Sequence, residues 1–320
     1  MARVFIACCL YRPHPDYLRA QLDSFRGQSH GDWRCLLQED GEPASEALVR
    51  SLVSDDPRFS YRATGERLGV FHNFEAALRL APGDCPLICY SDQDDIWEPD
   101  KLAAGIALLA DPAITLVHSD LAVVDAEGAL LHPSCFAFEG RVAGDFSLDQ
   151  LLLRNSVTGC TVMFRASLLP RLLPFPEQGH EPVYLHDFWT ALIAASEGRI
   201  GFVARPLVRY RQHGGNVAGA VPFGRRPGLR RSVVERWQSA IKIGALRHRL
   251  IADLAAAYAR PPAAGRPTFP PVWWTAVRHR LAGDPQAPVT LRIALSVPIH
   301  RAALLWRRLV GGGPGGQTPV

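Results

Sequence analysis

Lysine is almost missing from this chain of 320 residues, occurring only as Lys101 and Lys242. That scarcity excludes the glycine- and lysine-rich loop with which nucleotidyl-transferring enzymes hold a triphosphate near the amino terminus. No apolar run is long enough to span a bilayer. The first such run, residues 2–10, meets Tyr11-Arg12-Pro13 without a small-residue cleavage site, so a first strand is expected there and not a leader. Cys-x-x-Cys pairs are also lacking, and the seven cysteines (Cys8, Cys9, Cys35, Cys85, Cys89, Cys135, Cys160) lie mostly in apolar runs. An odd number in such places excludes a disulfide frame or a zinc site and reads as reduced, packed thiols of a cytoplasmic protein. No internal repeat is present.

Acidic residues are scarce at one end only. Residues 221–320 hold 3 Asp and Glu against 16 Lys and Arg, a net of +13, whereas residues 1–220 hold 28 against 19, a net of −9; together they give the formal +4. A basic extension on an acidic body points to peripheral contact with an anionic membrane rather than to nucleic acid. Arginine-rich solvated helix faces would leave the same signature.

What the chain does contain is a regular alternation. Strands are expected at 4–10, 33–38, 59–62 and 86–88, separated by helices from Pro15 to Gly27, at 44–54 and from Gly69 onward. A helix at 99–109 follows, with Pro99 at its start. Strand and helix alternating over short connections predict a mostly parallel sheet covered on both faces, with ligands bound beyond the carboxyl ends of the strands. Further on, 114–118 reads as a strand, 121–124 and 129–131 as a hairpin around Asp125-Ala126-Glu127-Gly128, 146–154 as a helix, 157–164 as extended, 183–196 as a helix and 201–209 as a last strand. Helical segments at 231–257, 272–281 and 291–309 are expected beyond, separated by Pro/Gly-rich linkers and ending in a frayed 311–316. Trp273-Trp274 and Ala303-Leu304-Leu305-Trp306, beside Arg307-Arg308, suit a membrane interface. Residues 1–220 are therefore expected to form one catalytic domain and 221–320 a mainly helical extension.

The densest charge is Ser91-Asp92-Gln93-Asp94-Asp95-Ile96-Trp97, on the loop leaving the strand Pro86-Leu87-Ile88. Carboxylates this close repel one another unless a cation neutralises them, and Mg²⁺ or Mn²⁺ prefers oxygen ligands completed by water and phosphate. A metal site facing a phosphate ester is one reading; a solvated acidic loop capping the next helix is the other.

Several motifs in order decide between them. Gln28-Ser29-His30-Gly31-Asp32-Trp33 followed by Glu39-Asp40-Gly41-Glu42, the Asp-x-Asp run above, Asn155 to Phe164 with Gly159-Cys160, His186-Asp187-Phe188-Trp189 and Tyr210-Arg211-Gln212-His213-Gly214-Gly215-Asn216-Val217 resemble a family-two glycosyltransferase of the GT-A fold. The resemblance covers roughly residues 3–219 and is greatest to bacterial rhamnosyltransferases. Glu39 and Glu42 depart from the Asp-Asp-Gly-Ser loop of that family, and His186 stands where many relatives have Glu.

The resemblance implies an α/β, Rossmann-like sheet, mixed but mostly parallel and flanked by helices. It implies an inverting enzyme that moves a sugar from a nucleoside diphosphate, L-rhamnose from dTDP-β-L-rhamnose, to a hydroxyl of a lipid-linked O-antigen or capsule precursor. UDP-galactose, UDP-glucose or UDP-N-acetylglucosamine as donor, or an inactive sugar-nucleotide-binding scaffold at the membrane, are the alternatives. In this reading Asp187 is the base that takes the acceptor proton, with a helix cap as its other explanation. Asp94, Asp92 and His213 hold a divalent cation. Cys8, Tyr11, Asp40, Arg67, Asp92 and Gln93 meet the nucleotide, although Cys8 is equally a core thiol and Arg67 a surface arginine. Asp95, Gly159, Cys160 and His186 stand on the acceptor side. Trp97 and Trp189 there either stack on sugars or pack.

Overall fold

The runs Val4–Leu10 and Leu87–Ser91 are buried along their whole length, as strands covered on both faces must be. They form β1 and β4 of the computed structural model, which describes residues 2–141, 146–178, 182–216, 219–220, 246 and 249–259. β1 pairs in parallel with β4 on one side and with β2 (Trp33–Glu39) on the other, and β2 pairs in parallel with β3 (Phe59–Ala63). Helices α1 (Pro15–Arg26), α2 (Glu46–Val53) and α3 (Gly69–Arg79) make the crossovers. α1 shows why: a proline opens it, Leu18, Leu22 and Phe25 recur on its buried face, and Gly27 ends it.

Past β4 the sheet becomes mixed. In chain order come β5 (Ile96–Trp97), α4 (Lys101–Leu108), β6 (Ile114–Val124), β7 (Leu130–His132), α5 (Cys135–Glu139), α6 (Leu148–Leu153), β8 (Met163–Arg165), α7 (Leu169–Leu172), α8 (His186–Glu197) and β9 (Arg199–Arg211). The sheet runs β3-β2-β1-β4-β8-β6-β9-β5, with β7 on β6. β8 is antiparallel to both its neighbours, and β6 and β9 are parallel. Trp33, Phe25, Leu18, Leu22, Ile6 and Leu37 belong to the core beside β1 and β2.

Three local expectations are corrected. The strand at 114–118 and the first hairpin arm form one strand, because polar His118-Ser119-Asp120 does not break it. Asp120 is satisfied inside by the N–H groups of Leu121 and Phe136 and the hydroxyl of Ser134. The stretch 157–164 is not extended throughout; a 3₁₀ turn, Gly159–Thr161, precedes β8. β5 was not foreseen, since two residues carry no periodicity.

All seven cysteines are free and buried. Among the described residues no helix is long and apolar enough to cross a membrane. The chain divides into two compact units, the first containing Met1–Arg226. In the second, 249–259 is helical, with an Arg249–Asp253 ion pair and Leu250 and Leu254 buried. The segments expected at 272–281 and 291–309 lie outside the described residues.

Candidate active site

Because β1, β2 and β4 are parallel, their carboxyl ends open on one edge of the sheet, and a cleft of about 390 Å³ lies there. Tyr11 from the end of β1, Asp40 from the end of β2, and Asp92 and Asp94 from the end of β4 line it. So does Asp187 from the first turn of α8. The sequence separates these side chains by up to 176 positions; the topology brings them together.

The three aspartates of the acidic loop do different things. Asp92 is half-buried, and burial, then the charges of Asp94 and Asp187, push its carboxyl up to about 7. Asp94 Oδ2 lies 2.8 Å from Nε2 of His213, which follows β9. Asp95, expected on the acceptor side, is instead fully buried beneath the loop. Its Oδ1 accepts from the Arg211 backbone N–H at 3.1 Å, and burial with the neighbouring carboxylates drives its carboxyl well up. Cys160, also expected beside the acceptor, is a buried thiol facing Asp95.

Asp187 is held by both oxygens. Oδ2 accepts from the Gly159 N–H at 3.0 Å and Oδ1 from the Phe188 N–H at 2.6 Å. Burial raises its carboxyl to about 6, against the opposing pull of those N–H groups. A Cβ at Gly159 would stand 2.8 Å from Nε2 of His186, so only glycine lets this loop lie against α8. His186 forms part of the cleft wall, stacked on Phe74 at 3.6 Å, and burial lowers its imidazole to about 3. It is therefore a neutral wall at ordinary pH.

On the donor side, Asp40 accepts from the N–H groups of Leu68 (2.6 Å) and Gly69 (3.1 Å) and so caps α3, where Gly69 has φ +78°. Arg67 stands 4.5 Å over the Tyr11 ring at the cleft. Gln93 lines the cleft as well, and its amide accepts from the Tyr11 N–H at 2.8 Å and donates to the Tyr11 carbonyl at 3.1 Å, fastening the two loops. Cys8 is corrected to a core thiol; Cys9 is the one that lines the cleft. Trp97 and Trp189 are likewise core residues. Trp97 packs on Phe25 under the Lys101 ammonium, and Trp189 Nε1 donates to the Leu172 carbonyl.

Some contributors were not singled out from sequence. Tyr210, Thr158 and Leu185 line the main cleft and also a second cavity of about 220 Å³, reached past Asp187 and bordered by Glu139, Arg141 and Asn155. Arg211 runs beneath the acidic loop. The motif 210–217 was visible as a block, but which of its side chains face inward depends on the β6–β9 register, which has no local signal.

Among the described residues one group of acidic and sulfur ligands converges closely enough to hold an ion. Atoms of Asp92, Asp95 and Cys160 fall within 4.8 Å of one another. Asp95 Oδ1 is taken by the Arg211 N–H while its Oδ2 has no hydrogen-bond partner, and the Cys160 thiol, pushed well up by burial, is a soft ligand that suits a hard divalent ion less well than oxygen. Asp92 and Asp94 both reach the cleft and Asp94 pairs with His213, so their oxygen and imidazole groups are of the kind that Mg²⁺ or Mn²⁺ takes.

Comparison with known proteins accords with this layout. The profile of Glycosyl transferase family 2 matches residues 4–169. The uncharacterized protein y4gI of Sinorhizobium fredii is 25% identical over 230 residues, which is 69% of this chain; the chain spans only 24% of that relative's length. S. aureus TarS 1-349 in complex with UDP-GlcNAc superposes with a TM-score of 0.54 at 13% identity, covering 94% of this chain and 92% of that one. A longer TarS structure gives 0.52 at 13% identity, covering 80% of this chain and 42% of TarS. At such identities the likeness concerns the fold alone. With the profile covering half of its length and a mostly parallel sheet of the GT-A kind beneath the cleft, the chain belongs to glycosyl transferase family 2.

Proposed function

We propose that the chain is an inverting, divalent-metal-dependent glycosyltransferase. Its donor is a nucleoside-diphosphate sugar, dTDP-β-L-rhamnose in first place, and its acceptor a hydroxyl of a lipid-linked polysaccharide precursor. The observation that carries the reading is the position of Asp187. It shares one cleft with Asp92 and Asp94, yet also borders the second cavity, which the acidic loop does not line. A base between two cavities suits a reaction that joins a donor in one to an alcohol in the other.

The chemistry follows from these groups. The acceptor oxygen attacks the anomeric carbon, the bond from that carbon to the diphosphate breaks, and Asp187 takes the hydroxyl proton. With its carboxyl near 6, Asp187 is ionised at neutral pH yet more basic than an ordinary aspartate. Asp92, Asp94 and His213 would hold a divalent cation, which would offset the charge that develops on the departing diphosphate. The chain's own task is to hold both partners: Asp40 and Arg67 flank the nucleotide end, and the polar Glu139, Arg141 and Asn155 border the acceptor cavity. Attack from the face opposite the leaving group inverts the anomeric centre. Rhamnose rests on the motif resemblance, and UDP-GlcNAc stays in the panel because TarS, with the same fold, is seen with it.

The test is nucleoside diphosphate release from dTDP-rhamnose, UDP-galactose, UDP-glucose and UDP-GlcNAc, with Mn²⁺ and with chelator. Release from dTDP-rhamnose that stops on chelation is expected. Turnover of a UDP-sugar with dTDP-rhamnose inert removes the rhamnose assignment, and no release from any donor removes the enzyme.

A further inference from the structure

Arg211, the last residue of β9, is 5% exposed and touches the acidic loop, the turn after β6 and α1. Its Nε donates to the Asp94 carbonyl at 2.9 Å, and its Nη1 donates to the Ala126 carbonyl, in the turn between β6 and β7, at 2.7 Å. Its backbone N–H holds Asp95 Oδ1 at 3.1 Å, and its guanidinium lies 4.5 Å over the ring of Tyr17 on α1. Its carbonyl accepts from Asn216 Nδ2 at 2.9 Å, and Asn216 in turn fixes the His213 N–H at 2.6 Å.

We infer that Arg211 is a positioning residue that clamps the acidic loop to the 125–129 turn and to α1, so that Asp94 and His213 are presented together to the cation. The inference rests on the proposed role of Asp94 and His213, and it adds the group that sets their geometry. Four carboxylate and imidazole side chains crowd here, and a loop of like charges opens unless its backbone is tied down. Only a planar, permanently charged fork reaches two carbonyls in different segments while stacking on an aromatic face; a lysine ammonium is a point donor and does not. The Asp94 carbonyl is engaged from below, which leaves its carboxylate directed at His213. β5 pairing with β9 at Ile96–Arg209 and Trp97–Val208 anchors the far end of the same loop. β9 thus holds the loop through both backbone pairing and Arg211, in addition to the Gln93–Tyr11 bonds.

The test compares wild type with R211K in the full chain by two readouts: amide hydrogen exchange over 92–97 and 125–129, and Mn²⁺ binding in the presence of dTDP or UDP. Faster exchange in both segments is expected, with ordinary exchange in β1 and β2 and a loss of Mn²⁺ affinity of at least about tenfold. A residue that merely supports folding would change exchange throughout and leave the Mn²⁺ affinity of the folded fraction intact. Unchanged exchange over 92–97 in folded R211K overturns the clamp. If R211K does not fold, Tyr17→Leu removes the ring beneath the guanidinium, which also packs on His14 and His213, and is expected to raise exchange in the same two segments; no change there is equally fatal. Wild type that binds no Mn²⁺ with either nucleotide, while R211K still loosens the loop, contradicts the metal reading and leaves the clamp standing.

Discussion

Asp187 and Asp92 are both carboxyls raised by burial, and pH separates their effects. As the proposed base, Asp187 acts only when ionised, so transfer is expected to fall as pH drops through about 6, where burial has placed it. A rate profile with saturating donor and acceptor checks this; an acid limb near 4 contradicts it. Asp92 enters stability. Its carboxyl moves from an ordinary 3.8 up to about 7, so the folded state keeps a proton that the unfolded chain has lost. That contribution is full below about 4 and lost as pH rises through about 7. Asp187 slopes the same way but only up to about 6, whereas Asp95, driven well up by burial and the neighbouring carboxylates, slopes the same way beyond it, so the loss between pH 6 and 8 belongs to Asp92 and Asp95 together. Thermal melts of metal-free protein are expected to decline over that interval, and to decline less in Asp92→Asn. Gly159→Ala places a methyl 2.8 Å from His186 Nε2. It is expected to cost about 1–3 kcal/mol in a denaturant titration and to disturb the N–H that fixes Asp187. The sequence motifs named residues that gather in the fold, since Asp94 and Asp187 line one cleft, but were silent on facing. Nothing in the strand run 4–10 says that Cys9 and not Cys8 reaches the cleft, because both positions of a doubly covered strand are apolar.

Among the elements, the parallel half was legible because its signals are local: Pro15 and Gly27 bracket α1, and continuous apolar runs mark β1 and β4. The mixed half was less so. β5 exists only because Ile96 and Trp97 find Arg209 and Val208 more than a hundred residues later. The same pairing explains Trp97, which is 2% exposed, lies 4.6 Å from Phe25 ring to ring, and carries the Lys101 ammonium at 3.7 Å. It joins β5 to α1 and α4 and does not meet a sugar. Trp97→Ala is expected to destabilise by about 3–5 kcal/mol, as removal of a buried aromatic does. Trp97→Phe is expected to fold and to leave the donor KM unchanged, whereas a sugar-stacking tryptophan would raise that KM.

For the whole molecule, the charge asymmetry is the fact with no counterpart in the site. Residues 221–320 carry a net +13, and of them only 246 and 249–259 are described. Peripheral attachment to an anionic bilayer would bring the cleft to an acceptor carried on lipid. The full chain is expected to float with vesicles containing phosphatidylglycerol and to be released as salt rises. Equal flotation with neutral vesicles, or none with either, contradicts that attachment. The cleft joins all these scales, since it exists only where three parallel strands end together and α8 closes over them. In the proposed reaction Asp187 acts on the acceptor and not on the donor. Asp187→Asn, assayed with the donor that turns over, is the most direct test. It is expected to bind that donor with wild-type affinity and to transfer about 10²–10⁴-fold more slowly. Transfer at the wild-type rate would contradict the account.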